Sequence, residues 1–174
     1  MVSARKSVRA ATLKGHIYVV GGIVRSAASG QTEVVADNLR FNPSLNSWMT
    51  VSSMATPRES FGLAVLNDYL YAAGGNTYGG VNGGQLTASV ERYDPSSDSW
   101  TEVQSLPNGR YMNGMASNGE ALYVAGGWNV AGVAYTDILR YDALANQWQS
   151  LPQSFTLSRV AAGVCFLNPP PSPP

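Results

Sequence analysis

Charge is scarce in this chain. Of its 174 residues, 13% are Asp, Glu, Lys or Arg, against the roughly 25% usual for soluble domains. Ser, Thr, Asn, Gln, Gly and backbone groups must therefore build much of the surface. Eleven basic and eleven acidic residues leave a formal net charge of +0. A phosphate-binding surface shows as a basic excess, so nucleic acid is not an expected partner. The one cysteine, Cys165, cannot form an internal disulfide, so the fold does not rest on oxidation. With His16 the one histidine, the ligand sets that hold zinc or copper are missing. We expect no metal and no cofactor. No stretch approaches the roughly 20 apolar residues of a membrane-crossing helix. The opening "MVSARKSVRAATLKG" lacks the apolar core of a secretion signal. No Asn-x-Ser/Thr acceptor with x other than Pro occurs. A soluble, cytoplasmic protein with no membrane partner is the expectation.

Glycine, at 18 residues, and proline, at 10, are plentiful instead, and they punctuate a repeat. Three segments align without gaps: "RKSVRAATLKGHIYVVGG" from Arg5, "RESFGLAVLNDYLYAAGG" from Arg58 and "RYMNGMASNGEALYVAGG" from Arg110. A second block follows each: "LRFNPSLNSWMTV", "ERYDPSSDSWTEV" and "LRYDALANQWQSL", carrying Trp48, Trp100 and Trp148. The starting arginines stand 53 and then 52 residues apart, and Arg159 comes 49 later, opening "RVAAGVCFLN". That stretch matches the first strand of the unit, and a Pro-rich tail, 169–174, follows it.

Each unit reads as four short strands. In the second, strand a is expected at Ser60–Leu66, turning at Asn67-Asp68, a usual hairpin pair. Strand b, Tyr69–Ala73, is a near-continuous apolar run suited to burial on both faces. A long loop spans Asn76–Leu86, strand c is about Ala88–Tyr93, "DPSSDS" turns, and strand d carries Trp100. No window has a 3.6-residue apolar period, so almost no helix is expected. Four antiparallel strands repeated at about 50 residues describe propeller blades, which bury their faces by stacking on one another. The double glycines Gly21-Gly22, Gly74-Gly75 and Gly126-Gly127 close the inner strand, permitting positive φ and close backbone approach.

The recurrent Arg, Tyr-x-x-Gly-Gly, Tyr-Asp-Pro and Trp resemble the kelch repeat. The resemblance runs from Arg5 to Asn168 and implies an all-β fold: kelch-type β-propeller blades of four antiparallel strands in an incomplete ring. Copy one departs with Phe41-Asn42-Pro43 and with Arg9 in place of Gly62, Gly114 and Gly163; copy three has Ala143 for Pro. Kelch repeats then occupy 1–168, with blades at about 5–57, 58–109 and 110–158 and the first strand of a fourth at 159–168. Closed propellers have about 4–8 blades, so three leave two blade faces to cover. A piece of a longer propeller is the favoured expectation; a half that self-associates to complete the ring and an open arc are the others.

No catalytic constellation stands out, and an enzyme is not expected. His16 reads as an exposed turn residue and Cys165 as a buried inert thiol. "NTYGGVNGGQLT" has no helix behind it to add a dipole for phosphate, so it reads as an interaction loop. "NPPPSPP" carries Pro-x-x-Pro spacing but reads as a boundary segment. In kelch adaptor propellers the start of strand a and the b–c loops resemble the rim of a binding pocket. That resemblance nominates Arg58, Arg110 and Arg159, with Ser60 and Asn113, and Asn76, Tyr78, Trp128 and Asn129 from the loops. Arg forks suit acidic or amide groups, and Trp and Tyr suit hot spots. The same arginines could instead pair with a neighbouring carboxylate and serve the architecture. A protein or peptide partner is expected, in the manner of a ubiquitin-ligase substrate adaptor or a cytoskeletal scaffold. The alternative is a fragment of a carbohydrate-active kelch propeller resembling sugar oxidases or sialic-acid mutarotases.

Overall fold

The computed structural model of the chain describes residues 4–26, 30–77 and 85–152. The first repeat holds β1 (Arg5–Lys6), β2 (Arg9–Leu13), β3 (His16–Val20), β4 (Ile23–Arg25), β5 (Thr32–Val34), β6 (Asn38–Asn42) and β7 (Ser47–Val51). The second holds β8 (Gly62–Leu66), β9 (Tyr69–Ala73), β10 (Val90–Asp94) and β11 (Ser99–Val103). The third holds β12 (Gly114–Ser117), β13 (Leu122–Ala125), β14 (Ile138–Asp142) and β15 (Gln147–Ser150). Three sheets form simple antiparallel meanders: β2-β3-β6-β7, β8-β9-β10-β11 and β12-β13-β14-β15. No helix occurs among the described residues. The expected fourth-blade strand at 159–168 and the tail at 169–174 lie outside them.

Local chemistry explains the strands. Asn67 and Asp68 take φ of 50° and 64°, the mirror-turn geometry that matches strand twist. The hairpin β8–β9 is thereby held in register, Leu66 opposite Tyr69. Strand β9 is buried along nearly its whole length, as its apolar run requires. Two expected boundaries move. Strand a begins at Gly62 rather than Ser60, because Ser60 sits at φ 51° and cannot continue an extended chain. Strand c begins at Val90 rather than Ala88: the Ala88 and Ser89 carbonyls are spent on Leu106 and Gly74 N–H groups. His16, expected in the turn, opens β3 half-buried, its Nδ1 2.9 Å from the Lys14 carbonyl oxygen.

The sheets stack as blades. The first strands lie side by side, β8 touching both β2 and β12, so they are the innermost. The double glycines therefore end the second strand, not the innermost one. Between blades 1 and 2 pack Leu13, Tyr18, Val20, Leu70 and Tyr93; between blades 2 and 3 pack Leu66, Tyr71, Val90, Leu122 and Tyr141. The tyrosines meet across the seams, Tyr18 on Tyr93 at 5.7 Å and Tyr71 on Tyr141 at 5.9 Å. Each fully buried apolar side chain contributes about 1.5–3 kcal/mol, so these seams are the hydrophobic core.

Backbone bonds also cross the seams. Ser7, Ser60 and Met112, each two residues after its repeat arginine, share left-handed φ of 55°, 51° and 55°. Ser60 N–H donates to Ser7 O at 3.2 Å, and Met112 N–H to Ser60 O at 2.6 Å. Gly22 N–H reaches Arg58 O and Gly75 N–H reaches Arg110 O, at 2.9 and 2.7 Å. A Cβ on Gly21 or Gly74 would lie 2.5 or 2.6 Å from those same arginine carbonyls. The glycine pair is thus the socket for the next blade.

At the outer edge each later blade grips the residue that follows strand d of the blade before. Trp100 Nε1 donates to Ser52 O at 2.8 Å, while Ser52 N–H donates to Asp98 Oδ1 at 2.9 Å. Trp148 Nε1 donates to Gln104 O at 2.9 Å, while Gln104 N–H donates to Asn146 Oδ1 at 2.9 Å. A tyrosine hydroxyl steadies each acceptor, Tyr93 on Asp98 at 2.8 Å and Tyr141 on Asn146 at 2.7 Å. The Ser52 N–H, followed by the Tyr93 hydroxyl, holds the Asp98 carboxyl below its ordinary pKa. Burial raises the Tyr93 phenol, and its bond to Asp98 adds to that.

Candidate interaction rim

The repeat arginines start each blade and point inward. Arg5 Nη1 donates to Gly21 O at 3.4 Å and Nη2 to Asp37 Oδ2 at 3.1 Å. Arg110 Nη1 reaches Gly126 O at 3.2 Å and forks onto Asp137 at 2.7 and 2.9 Å. Arg58 Nη1 reaches Gly74 O at 2.8 Å. Asp37 and Asp137 each stand one residue before the third strand of their blade, where blade 2 has Ser89. The missing carboxylate comes from Glu91, two residues on, where blades 1 and 3 carry Leu39 and Leu139. Arg58 Nη2 meets Ser89 Oγ at 2.8 Å and Glu91 Oε1 at 2.6 Å. Glu91 also accepts the Ala55 and Thr56 N–H groups at 2.7 and 3.1 Å. Arg58, Arg110 and Glu91 are all buried. Burial lowers the Arg58 pKa, and Glu91 opposes that shift.

Above the arginines the chain forms a small ladder in every blade. In blade 1 it is the sheet β1-β4-β5. In blade 2 the bridges Glu59–Asn76 and Asn76–Leu86 stand in the same places, and in blade 3 Tyr111–Trp128 and Trp128–Ala134. These ladders fix where each b–c loop leaves its blade. Sequence reasoning missed them, since two-residue pairings carry no period; their signal is the constant spacing from Arg and from Gly-Gly.

The nominated residues divide accordingly. Arg58, Arg110, Ser60 and Asn113 are buried, and Ser60 and Asn113 precede rather than occupy their strands. Asn76 and Trp128 are half-buried in the ladders, with Asn76 Nδ2 on Glu59 Oε1 at 3.1 Å. Tyr78 and Arg159 lie outside the described residues. Asn129 builds the blade 3 loop: its Oδ1 accepts the N–H groups of Ala131 and Val133, both at 2.9 Å. That turn leaves Val130 and Val133 77% and 58% exposed. Tyr135 closes it, its ring 4.1 Å from the Arg110 guanidinium carbon. The sequence reading did not single out Val130 or Val133, because lone valines in a loop carry no pattern. Among the described residues no group of three or more His, Cys, Asp or Glu could hold a metal. Among them, too, no helix is long and apolar enough to cross a membrane.

Meander sheets stacked on Gly-Gly sockets, pinned by a buried Arg inside and a Trp outside, define β-propeller blades. The Kelch motif matches residues 4–55, 57–107 and 109–154, and the chain belongs to the kelch-repeat family. It is 35% identical over 136 residues to Kelch-like protein 26 of Danio rerio, covering 78% of this chain and 22% of that one. It is 44% identical over 93 residues to an F-box/kelch-repeat protein of Arabidopsis thaliana, 53% of this chain and 18% of that one. Beta-scruin of Limulus polyphemus is 32% identical over 149 residues, 81% and 16%. The chain spans a quarter or less of the length of these relatives. The solved structure of YjhT superposes with a TM-score of 0.77 at 19% identity, covering 88% of this chain and 54% of that one.

Proposed function

We propose that this chain is a non-catalytic, cytoplasmic protein-interaction module that presents its b–c rim to a protein or peptide. The observation that carries the reading is the blade 3 loop. Val130 and Val133 stand exposed on a turn already ordered by Asn129, beside the half-buried Trp128. An ordered apolar tip loses little entropy on docking. Trp128, Asn129 and Asn76 are the proposed contact residues. Arg58, Arg110, Ser60 and Asn113 support them from beneath; Arg159 joins by repeat position and Tyr78 as a residue of the b–c loop sequence. Likeness to an F-box/kelch-repeat protein and to beta-scruin supports the finer alternatives, a ubiquitin-ligase substrate adaptor or a cytoskeletal scaffold.

A peptide library displayed on phage and panned on the 174-residue chain tests this. Enriched peptides should bind the native chain and lose at least about tenfold in affinity to a Val130→Asp/Val133→Asp variant, a loss of about 1.4 kcal/mol. The melting temperature of that variant should stay within a few degrees. Saturable binding on a glycan array with no peptide enriched would favour the carbohydrate reading instead.

A further inference from the structure

We infer that the seam between blades 1 and 2 is a binding site for ordered water, held by the Asn38 carboxamide and the Arg58 Nε. The inference is independent of the rim, and the seam lies between two complete four-stranded sheets. Asn38 is fully buried, and neither its Oδ1 nor its Nδ2 has a hydrogen-bond partner among the described residues. It opens β6 opposite Val20 and Val51. Both of those pack into the first seam, and residues paired across neighbouring strands share a face, so the carboxamide faces blade 2. Arg58 and Glu91 face the same seam from the other side. Glu91 accepts the Ala55 and Thr56 N–H groups, which follow strand d of blade 1, and the Arg58 Nη2. Arg58 Nε is buried and has no partner among the described residues.

The second seam supplies the contrast. There the places of Asn38 and Glu91 are held by Val90 and Leu139, which pack in one apolar cluster. The first seam thus carries two polar replacements at matching positions, a carboxamide on one blade and a carboxylate on the next. Burying an amide with no partner is unfavourable. Water can accept from the Nε–H and Nδ2–H groups and donate to Oδ1, which meets all three unpaired atoms. Arg110 Nε is likewise unpartnered in the second seam. The amide there, Asn113, has its Nδ2 on Ala73 O at 3.5 Å and only its Oδ1 unmet, whereas Asn38 has neither end met.

A thermal-melt cycle on the 174-residue chain tests this. Asn38→Val in the native chain takes the amide from water that Arg58 also holds. It should lower the melting temperature by about 2–4 °C, the effect of one lost hydrogen bond in a chain of this size. The Ser89→Asp/Glu91→Leu chain gives the first seam the residues of the second. In that chain Asn38→Val completes the apolar pair and should raise the melting temperature instead, a reversal of sign that marks coupling. A high-resolution crystal structure of the native chain should show ordered water within hydrogen-bond distance of Arg58 Nε and Asn38. A rise on Asn38→Val in both chains, or no change in the native one, overturns the inference. So does a crystal structure in which the Asn38 carboxamide bonds directly to protein at both ends, or in which no water lies beside it.

Discussion

At the scale of single residues, the arginine pocket tolerates relocation of its carboxylate. Blades 1 and 3 draw it from Asp37 and Asp137, blade 2 from Glu91 on the next inward position. Removing one partner of a buried ion pair costs about 3–5 kcal/mol, so Glu91→Leu should destabilise by that order in chemical denaturation. Ser89→Asp in the same chain recreates the arrangement of the other blades and should recover about half. The remainder is the loss of the Ala55 and Thr56 bonds. The glycines separate two further effects. Gly15 and Gly74 share left-handed φ of 74° and 69°, but nothing lies within 4 Å of a Cβ at Gly15, while Gly74 faces a carbonyl at 2.6 Å. Gly15→Ala should cost about 1–2 kcal/mol for backbone conformation alone. Gly74→Ala should exceed that by a further 2 kcal/mol or so, because rigid backbone cannot yield.

At the scale of the element, strands and turns differ in how far they can be read from sequence. Strand b and its mirror turn were legible because Asn67-Asp68 and the run Tyr69–Ala73 encode geometry locally. The starts of strands a and c were not: the left-handed φ of Ser60 delays the first, and carbonyls claimed by other segments delay the second. The arginine's partner in blade 2 was equally hidden: Glu91 sits in an ordinary polar-looking strand, and only register turns it inward. The c–d turns carry a consequence for acid stability. Asp98 and Asn146 perform the same grip, one titratable and one not. Asp98 has a folded pKa below its ordinary value. Its contribution is full above about pH 4 and fades as pH falls further. Asp98→Asn should therefore flatten the fall in stability below about pH 4 in a series of denaturant melts.

At the scale of the whole molecule, the repeat is a chain of seams, and each blade is completed by groups the next one supplies. Stability in such arrays is a sum of unit and neighbour terms. The kelch fold was legible through the three described blades because its four signatures recur together. The direction of the arginines was left open between binding and architecture, and the structure places Arg58 and Arg110 inside. A rim held from beneath by buried pairs lets its loops vary in sequence without disturbing the blades.

The left-handed residues after each arginine have a further effect. Because Ser60 and Met112 turn their N–H groups onto the preceding blade, those two amides are shielded from solvent deuterium by a neighbour rather than by their own sheet. Each exchanges when its seam parts, Ser60 for the first and Met112 for the second. The molecule thus carries built-in reporters at both joints, able to say which joint opens first.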